Sequence, residues 1–436
     1  MTLPLWAQEE VPVAQPRAGF QVTNVSAYAG YYSSGLPTNG GAPLTGVSNA
    51  AYDVNGGGSV EFDWMKFTDR STVAFSYTPS YTEDMRYSSL SGLNQKLSLN
   101  VSRKLAPRWT YQFTLAGIYS NLPQTFFAPT NLTNLAAVPA TFTDLADALL
   151  NGKFAANPLL GVALTNAPLP VSPLNSLIYG VRTLTTSGGT SLSYSFSPRL
   201  SLTFNGNASR NQQMSTNLAA GGAYLIPDTT LVGASVSLSY SLSPVTQIGA
   251  SVTSVRTVSA FVDSYTTTSV ATLGRSFRQR WIMQVHGGVG KTNLVRQTGL
   301  GVAVPTEPRP VFGGSLAYKT LSSTFLGSYD RTTVDNYGLG ASTTSTSTGT
   351  WHWRRPSSLW WLDSSFTWQQ LSGNAQANTS GWQVTGSLSR ALGRHTILVS
   401  EYAYMNYSGG VYPAAYHFSE NAVRLMVTWI AHPVVP

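Results

Sequence analysis

From Val232 to Tyr240 every second residue is apolar, and each residue between is glycine or serine. A period of two belongs to the β-strand, whose successive side chains point to opposite faces. The pattern recurs along most of the chain. Trp109, Tyr111, Phe113 and Leu115 alternate with Thr110, Gln112 and Thr114, and Val423, Leu425, Val427 and Trp429 alternate with Arg424, Met426 and Thr428. Pairs of such stretches meet at short polar hinges. In "SYSFSPRLSLTF", residues 193–204, Ser197-Pro198-Arg199 separates two alternating runs, and "SYSLSPVTQIGA", residues 239–250, repeats the figure. Proline offers no N–H to a ladder, so it marks the turn between two strands. Each strand then carries one apolar face and one face of small polar side chains.

Composition decides where the apolar faces go. Only 10% of the 436 residues are charged, 42% are hydrophobic and 11% aromatic. The chain is too apolar for disorder and too poor in charge for an ordinary water-facing surface. No run of about 18 apolar residues offers a transmembrane helix. The remaining way to cross a bilayer is a closed β-barrel, in which every backbone group is paired between strands. There is no cysteine, so disulfides and thiolate chemistry are excluded. The net charge of +8 is spread along the chain, without the dense basic run that a nucleic-acid partner would require.

The alternation predicts an all-β, antiparallel, up-and-down transmembrane barrel of 18 strands, with 16 as the alternative count, starting near residues 20, 57, 72, 90, 108, 183, 199, 230, 245, 266, 280, 310, 322, 342, 358, 380, 394 and 420. Short connections near 69, 106, 198, 243, 279, 320, 356 and 392 alternate with longer ones, among them 121–182, 258–265 and 407–419. Aromatics gather beside the short turns: Trp109, Tyr194, Phe196, Tyr240, Trp281, Tyr318, Trp353, Trp360 and Trp429. Such a girdle is expected where an apolar band meets lipid headgroups. Arginines and lysines at the same turns, including Arg103, Lys104, Arg108, Arg199, Arg390 and Arg394, suit phospholipid headgroups or simply end the strands at the interface.

Over residues 20–431 the chain resembles Gram-negative outer-membrane β-barrels of the porin kind. The resemblance implies short turns and both termini on the periplasmic side, long loops outside, and contact with outer-membrane lipid. The segment "NAVRLMVTWI", residues 421–430, resembles the C-terminal signal by which barrel-assembly machinery recognises its clients, although the chain continues with "AHPVVP". Residues 1–19, with "TLPLWAQEEVP", read as the remnant of a secretory signal peptide and a periplasmic segment, and residues 432–436 as a C-terminal tail.

Motifs for chemistry are few. "VHGGVGKTN", residues 285–293, nearly spells a phosphate-binding loop, but Val285 stands where its first glycine belongs, and no helix pattern follows. The five histidines, His286, His352, His395, His417 and His432, show no metal-ligand spacing. No cofactor, metal or catalytic residue is therefore expected, and an enzyme ranks last. The alternation places seven charges on polar faces: Glu61, Asp63, Lys96, Asp330, Arg354, Asp363 and Arg424. Lumen charges of both signs tune a pore's selectivity or pair to stiffen its wall.

Residues 121–182 exceed any ordinary connection. Phe142, Leu145, Ala146 and Leu149 fall at helical spacing, and Gly152 can end the helix. This partly helical insertion is expected to fold into or over the lumen. The expected function is passive or substrate-selective diffusion of small polar solutes. The alternatives are a barrel exporting an exopolysaccharide with periplasmic partners, and a closed structural or adhesive barrel that binds a partner through its loops.

Overall fold

The computed structural model describes residues 19–33, 52–86, 91–121, 181–216, 228–260, 262–277, 280–297, 307–320, 322–335, 341–355, 358–372, 379–411 and 414–431. They form 18 strands: β1 (Gly19–Tyr32), β2 (Asp53–Thr68), β3 (Ser71–Asp84), β4 (Gly92–Ala106), β5 (Trp109–Asn121), β6 (Val181–Ser195), β7 (Leu200–Thr216), β8 (Thr229–Ser243), β9 (Thr246–Ser259), β10 (Val262–Phe277), β11 (Trp281–Gln297), β12 (Arg309–Lys319), β13 (Ser323–Asp335), β14 (Ala341–Arg354), β15 (Trp360–Ser372), β16 (Thr379–Ala391), β17 (Thr396–Val411) and β18 (Ala414–Ile430). Every strand pairs antiparallel with its neighbours in sequence. The ring closes where β1 pairs with β18, from Asn24 opposite Ile430 to Tyr32 opposite Ala422. An even strand count is what permits that antiparallel closure.

Side-chain exposure follows the alternation. On β8 the apolar Val232, Val236, Leu238 and Tyr240 are exposed, whereas Ser235, Ser237 and Ser239 between them are half-buried. On β18 Val423, Leu425, Val427 and Trp429 are exposed and Arg424, Met426 and Thr428 are buried. The molecule is thus apolar outside and polar or packed inside, the reverse of a soluble protein. Cross-strand registers keep the faces consistent: Phe204, Val236 and Val252 stand side by side on the outside. Val236→Arg is expected to cost about 2–4 kcal/mol, because it buries a charge in hydrocarbon, whereas Ser237→Arg should leave stability nearly unchanged and alter conductance. Urea titration of the refolded barrel reads the first effect. Equal losses at both positions would contradict the assignment of faces.

The aromatics beside the short turns lie on the outer face and touch one another. Trp109 lies 4.6 Å from Tyr194, Tyr194 meets Phe196 edge-on at 4.7 Å, and Trp281 lies 4.1 Å from Tyr318. Trp360 carries Arg390 at 4.9 Å, and Trp429 has His395 at 6.2 Å. Tyr240 and Trp353 occupy the same end of β8 and β14.

Two connections expected to be long are tight. β9 ends at Ser259 and β10 starts at Val262, not across 258–265. Ser259 Oγ accepts the Val262 N–H at 3.0 Å, and Arg256 joins Asp263 by two hydrogen bonds at 3.0 and 2.8 Å across the hairpin. The polar residues that resemble a loop are therefore rungs of a ladder rising above the apolar band. Likewise β17 and β18 pair as far as Val411 opposite Ala414, so 407–419 is mostly strand. Gly409 and Gly410, which resemble loop residues, sit in the ladder opposite Tyr416 and Ala415.

The insertion between β5 and β6, with its expected helix near Phe142–Leu149, lies outside the described residues, as do residues 1–18 and 432–436. The described residues contain no helix.

Candidate functional site

The lumen wall is the candidate site, and cross-strand registers decide which side chains reach it. The registers put the seven polar-face charges on the strand faces opposite the exposed apolar side chains. Glu61 and Asp63 come from β2, where Asp63 is level with Ser76 of β3. Thr23 donates to Asp63 at 2.8 Å, and Ser76 reaches Glu61 at 3.5 Å. Lys96 of β4, level with Thr78, stands within electrostatic reach of Glu61. This corner of the wall groups two acids, one lysine and hydroxyls.

Arg424 of β18 forms an ion pair with Glu401 of β17, and both side chains are about nine-tenths buried. The Arg424 guanidinium also lies 5.5 Å from the centre of the Tyr28 ring. Tyr28 runs inward along the wall to Thr82, 2.5 Å away. It can do so because Gly57 lies beneath: a Cβ there would stand 2.7 Å from the Tyr28 hydroxyl. Higher on the same side the Tyr32 hydroxyl sits between two buried acids, donating to Asp84 at 2.9 Å and lying 3.2 Å from Asp53.

The two inward histidines each meet a carboxylate. His286 Nε2 is 3.2 Å from Asp330 across β12, where Gly313 leaves the space: a Cβ would stand 2.7 Å from the imidazole and 2.8 Å from the carboxylate. His352 Nδ1 is 2.5 Å from Asp363 on the neighbouring strand. Arg354 lies 5.6 Å from the Trp361 ring. His395 instead binds the Ile430 carbonyl at the short-turn end. Among the described residues no group of three or more histidine or acidic side chains is placed to hold a metal ion.

The two sides of the wall differ. From β15 to β18 the inward face carries one buried apolar cluster near the short turns, where Trp361, Ile397, Val399 and Met426 pack with Ala391, Tyr28 and Ile430, and buried polar side chains beyond it, among them Gln383, Ser387, Glu401 and Arg424. From β5 to β9 they are hydroxyls and amides, half-buried and mutually bonded. Ser193 lies 3.0 Å from Thr203, Ser201 lies 2.7 Å from Ser239, and Asn205 donates to Ser235 at 3.1 Å.

Tyr28, Tyr32, Asp53, Asp84 and Glu401 were not legible as wall residues. Strand β1 carries tyrosines on both faces, and β17 is apolar on both, so alternation there selects neither side. Gly57, a gap opposite an aromatic strand, was the one available signal.

No family model matches the chain, and no curated protein matches it in sequence. Solved structures of similar architecture include OccK2 (OpdF) of Pseudomonas aeruginosa in complex with glucuronate, with 8% identity, a TM-score of 0.45, and coverage of 95% of this chain and 100% of that one. A BenF-like porin from Pseudomonas fluorescens Pf-5 has 9% identity and a TM-score of 0.45 over 95% and 99% of the two chains. OccAB4 of Acinetobacter baumannii has 9% identity and a TM-score of 0.42 over 94% and 98%. Likenesses at this level carry no argument about this chain; its closed barrel is read from its own strand pairing.

Proposed function

We propose that the protein is a Gram-negative outer-membrane pore for small polar solutes, diffusing passively or with selection at the lumen wall. The observation that carries this reading is the inverted barrel: 18 strands closed on themselves, an apolar exterior, and an interior of hydroxyls, amides and paired charges. Eight strands only just enclose side chains, and 16 to 18 leave an aqueous channel. The inward charges of both signs act on the solute's charge, and the hydroxyl wall replaces hydration as it passes. Barrel-assembly machinery and outer-membrane lipid are the partners this reading implies.

The reading assigns the insertion, residues 121–182, to narrowing the lumen. The apolar cluster of Trp361, Ile397, Val399 and Met426 on the inner face near the short turns supports an interior that is packed in part. The insertion is the longest connection and carries the apolar residues to fill it.

Liposome swelling tests the function. Vesicles carrying the refolded protein should swell in isotonic solutions of small sugars and amino acids, with rates that fall as solute size rises. No swelling with any of them would overturn the reading in favour of a closed barrel.

The reading also places the short turns and both termini in the periplasm. Epitope tags inserted near 198, 243 and 392 should be silent to antibody on intact cells, whereas tags near 222 and 302 should be labelled. Labelling at 198 with silence at 302 would reverse the orientation.

A further inference from the structure

We propose that the lumen wall between β5 and β9, at the short-turn mouth, is a binding groove for a neutral, sugar-sized polyol. The proposal deepens the pore reading by naming a solute class and a place where the solute pauses. A cavity of about 690 Å³ opens there, within the range that holds small organic ligands. Its walls include Gln112, Ser191, Ser193, Thr203, Ser239 and Gln247. These residues form cross-strand rungs: Gln112 is level with Ser191, Ser193 with Thr203, and Ser241 with Gln247. Five adjacent strands thus present side chains short enough to leave depth against the wall.

Small hydroxyls alone would mean only a thin wall. Gln247 adds a second, independent indication. Its side chain is 6% exposed, lines the cavity, and has a buried amide oxygen with no hydrogen-bond partner. A buried acceptor left unpaired is costly, and native proteins rarely keep one without use. A hydroxyl entering the groove would satisfy it once the Gln247 side chain turns its amide toward the cavity.

The chemistry of the lining selects the ligand. Each serine or threonine hydroxyl has one donor and two acceptor positions, so the Ser193–Thr203 and Ser201–Ser239 pairs keep capacity for a further partner. An amide both donates and accepts. A polyol offers the same dual groups at sugar spacing. No carboxylate lines the cavity, and its cations, Arg108 and Arg199, stand on exposed turns at the lip, where solvent screens them. Recognition inside the groove therefore rests on neutral groups. In the proposed orientation this mouth faces the periplasm, so the solute meets the groove last.

Saturation-transfer NMR on the detergent-refolded full-length barrel tests the proposal, with glucose and maltose as probes and gluconate as the charged comparison. Both neutral sugars should show transfer. Gln247→Leu should weaken binding by about tenfold, the worth of one well-buried hydrogen bond. The double variant Ser193→Val and Thr203→Val, altered at a different rung, should weaken it as well if Gln247→Leu fails to fold. Absence of transfer to either sugar, or unchanged binding in a folded variant, would overturn the proposal. So would gluconate binding about tenfold more tightly than glucose, which would give the groove to anions. The readout is independent of conductance. A barrel that conducts without binding sugar sinks the groove alone, and one that binds without conducting sinks the pore reading alone.

Discussion

Replacing residues 125–178 by a short Gly-Ser linker is expected to raise single-channel conductance severalfold while leaving a folded, heat-resistant barrel. The barrel should survive because β5 and β6 pair from Trp109 opposite Tyr194 to Asn121 opposite Arg182 without help from the insertion. The linker only has to join two strand ends that are already neighbours, and a shorter loop costs little entropy to close. The conductance should rise because the insertion is assigned to the lumen. A helix at Phe142–Leu149, expected from the spacing of its apolar residues, would be too short to be stable alone in water, so its apolar stripe would need a partner. The inner apolar cluster around Trp361, Val399 and Met426 offers one. Bilayer recordings of both proteins in the same salt decide the matter. Unchanged conductance would place the insertion outside the permeation path.

Glu401→Gln should destabilise the barrel by about 3–5 kcal/mol, because it leaves the Arg424 charge in a buried site without its carboxylate. Arg424 is held between Glu401 and the Tyr28 ring, with both members of the ion pair about nine-tenths buried. Replacing both members, Glu401→Leu with Arg424→Leu, should cost less than the single change, since the apolar cluster around Met426 and Val399 adjoins the site. Denaturant titration with the refolded proteins measures each. Wild-type stability in Glu401→Gln would mean that this stretch of wall is wet and the charge screened.

The strand count and nearly every turn were legible because one physical rule acts on every strand. Lipid on one side and a polar interior on the other force a period of two, and the short turns carry proline, serine or arginine at regular intervals. Legibility ended where that rule relaxes. Above the apolar band both faces of a strand are polar, so Ser259–Val262 resembles a loop although Arg256 and Asp263 bridge it as a hairpin. In β1 and β17 both faces are apolar or aromatic, since the interior is packed there, and Tyr28 and Glu401 were hidden. Alternation selects a face for each of the seven charges but says nothing of their partners. That His286 meets Asp330 across Gly313, two strands apart, is a property of the register and of one missing side chain. The serine wall was visible as composition; the unpartnered Gln247 beside it was not, because burial of a single amide leaves no trace in a linear pattern.

The central claim is that this barrel encloses a water-filled path across the outer membrane. Its most direct test is the current carried by the refolded, full-length protein in a planar bilayer with symmetric salt. The account predicts discrete, long-lived conductance steps that grow with salt concentration. A protein that migrates as a folded, heat-modifiable barrel yet produces no steps at any voltage would contradict it.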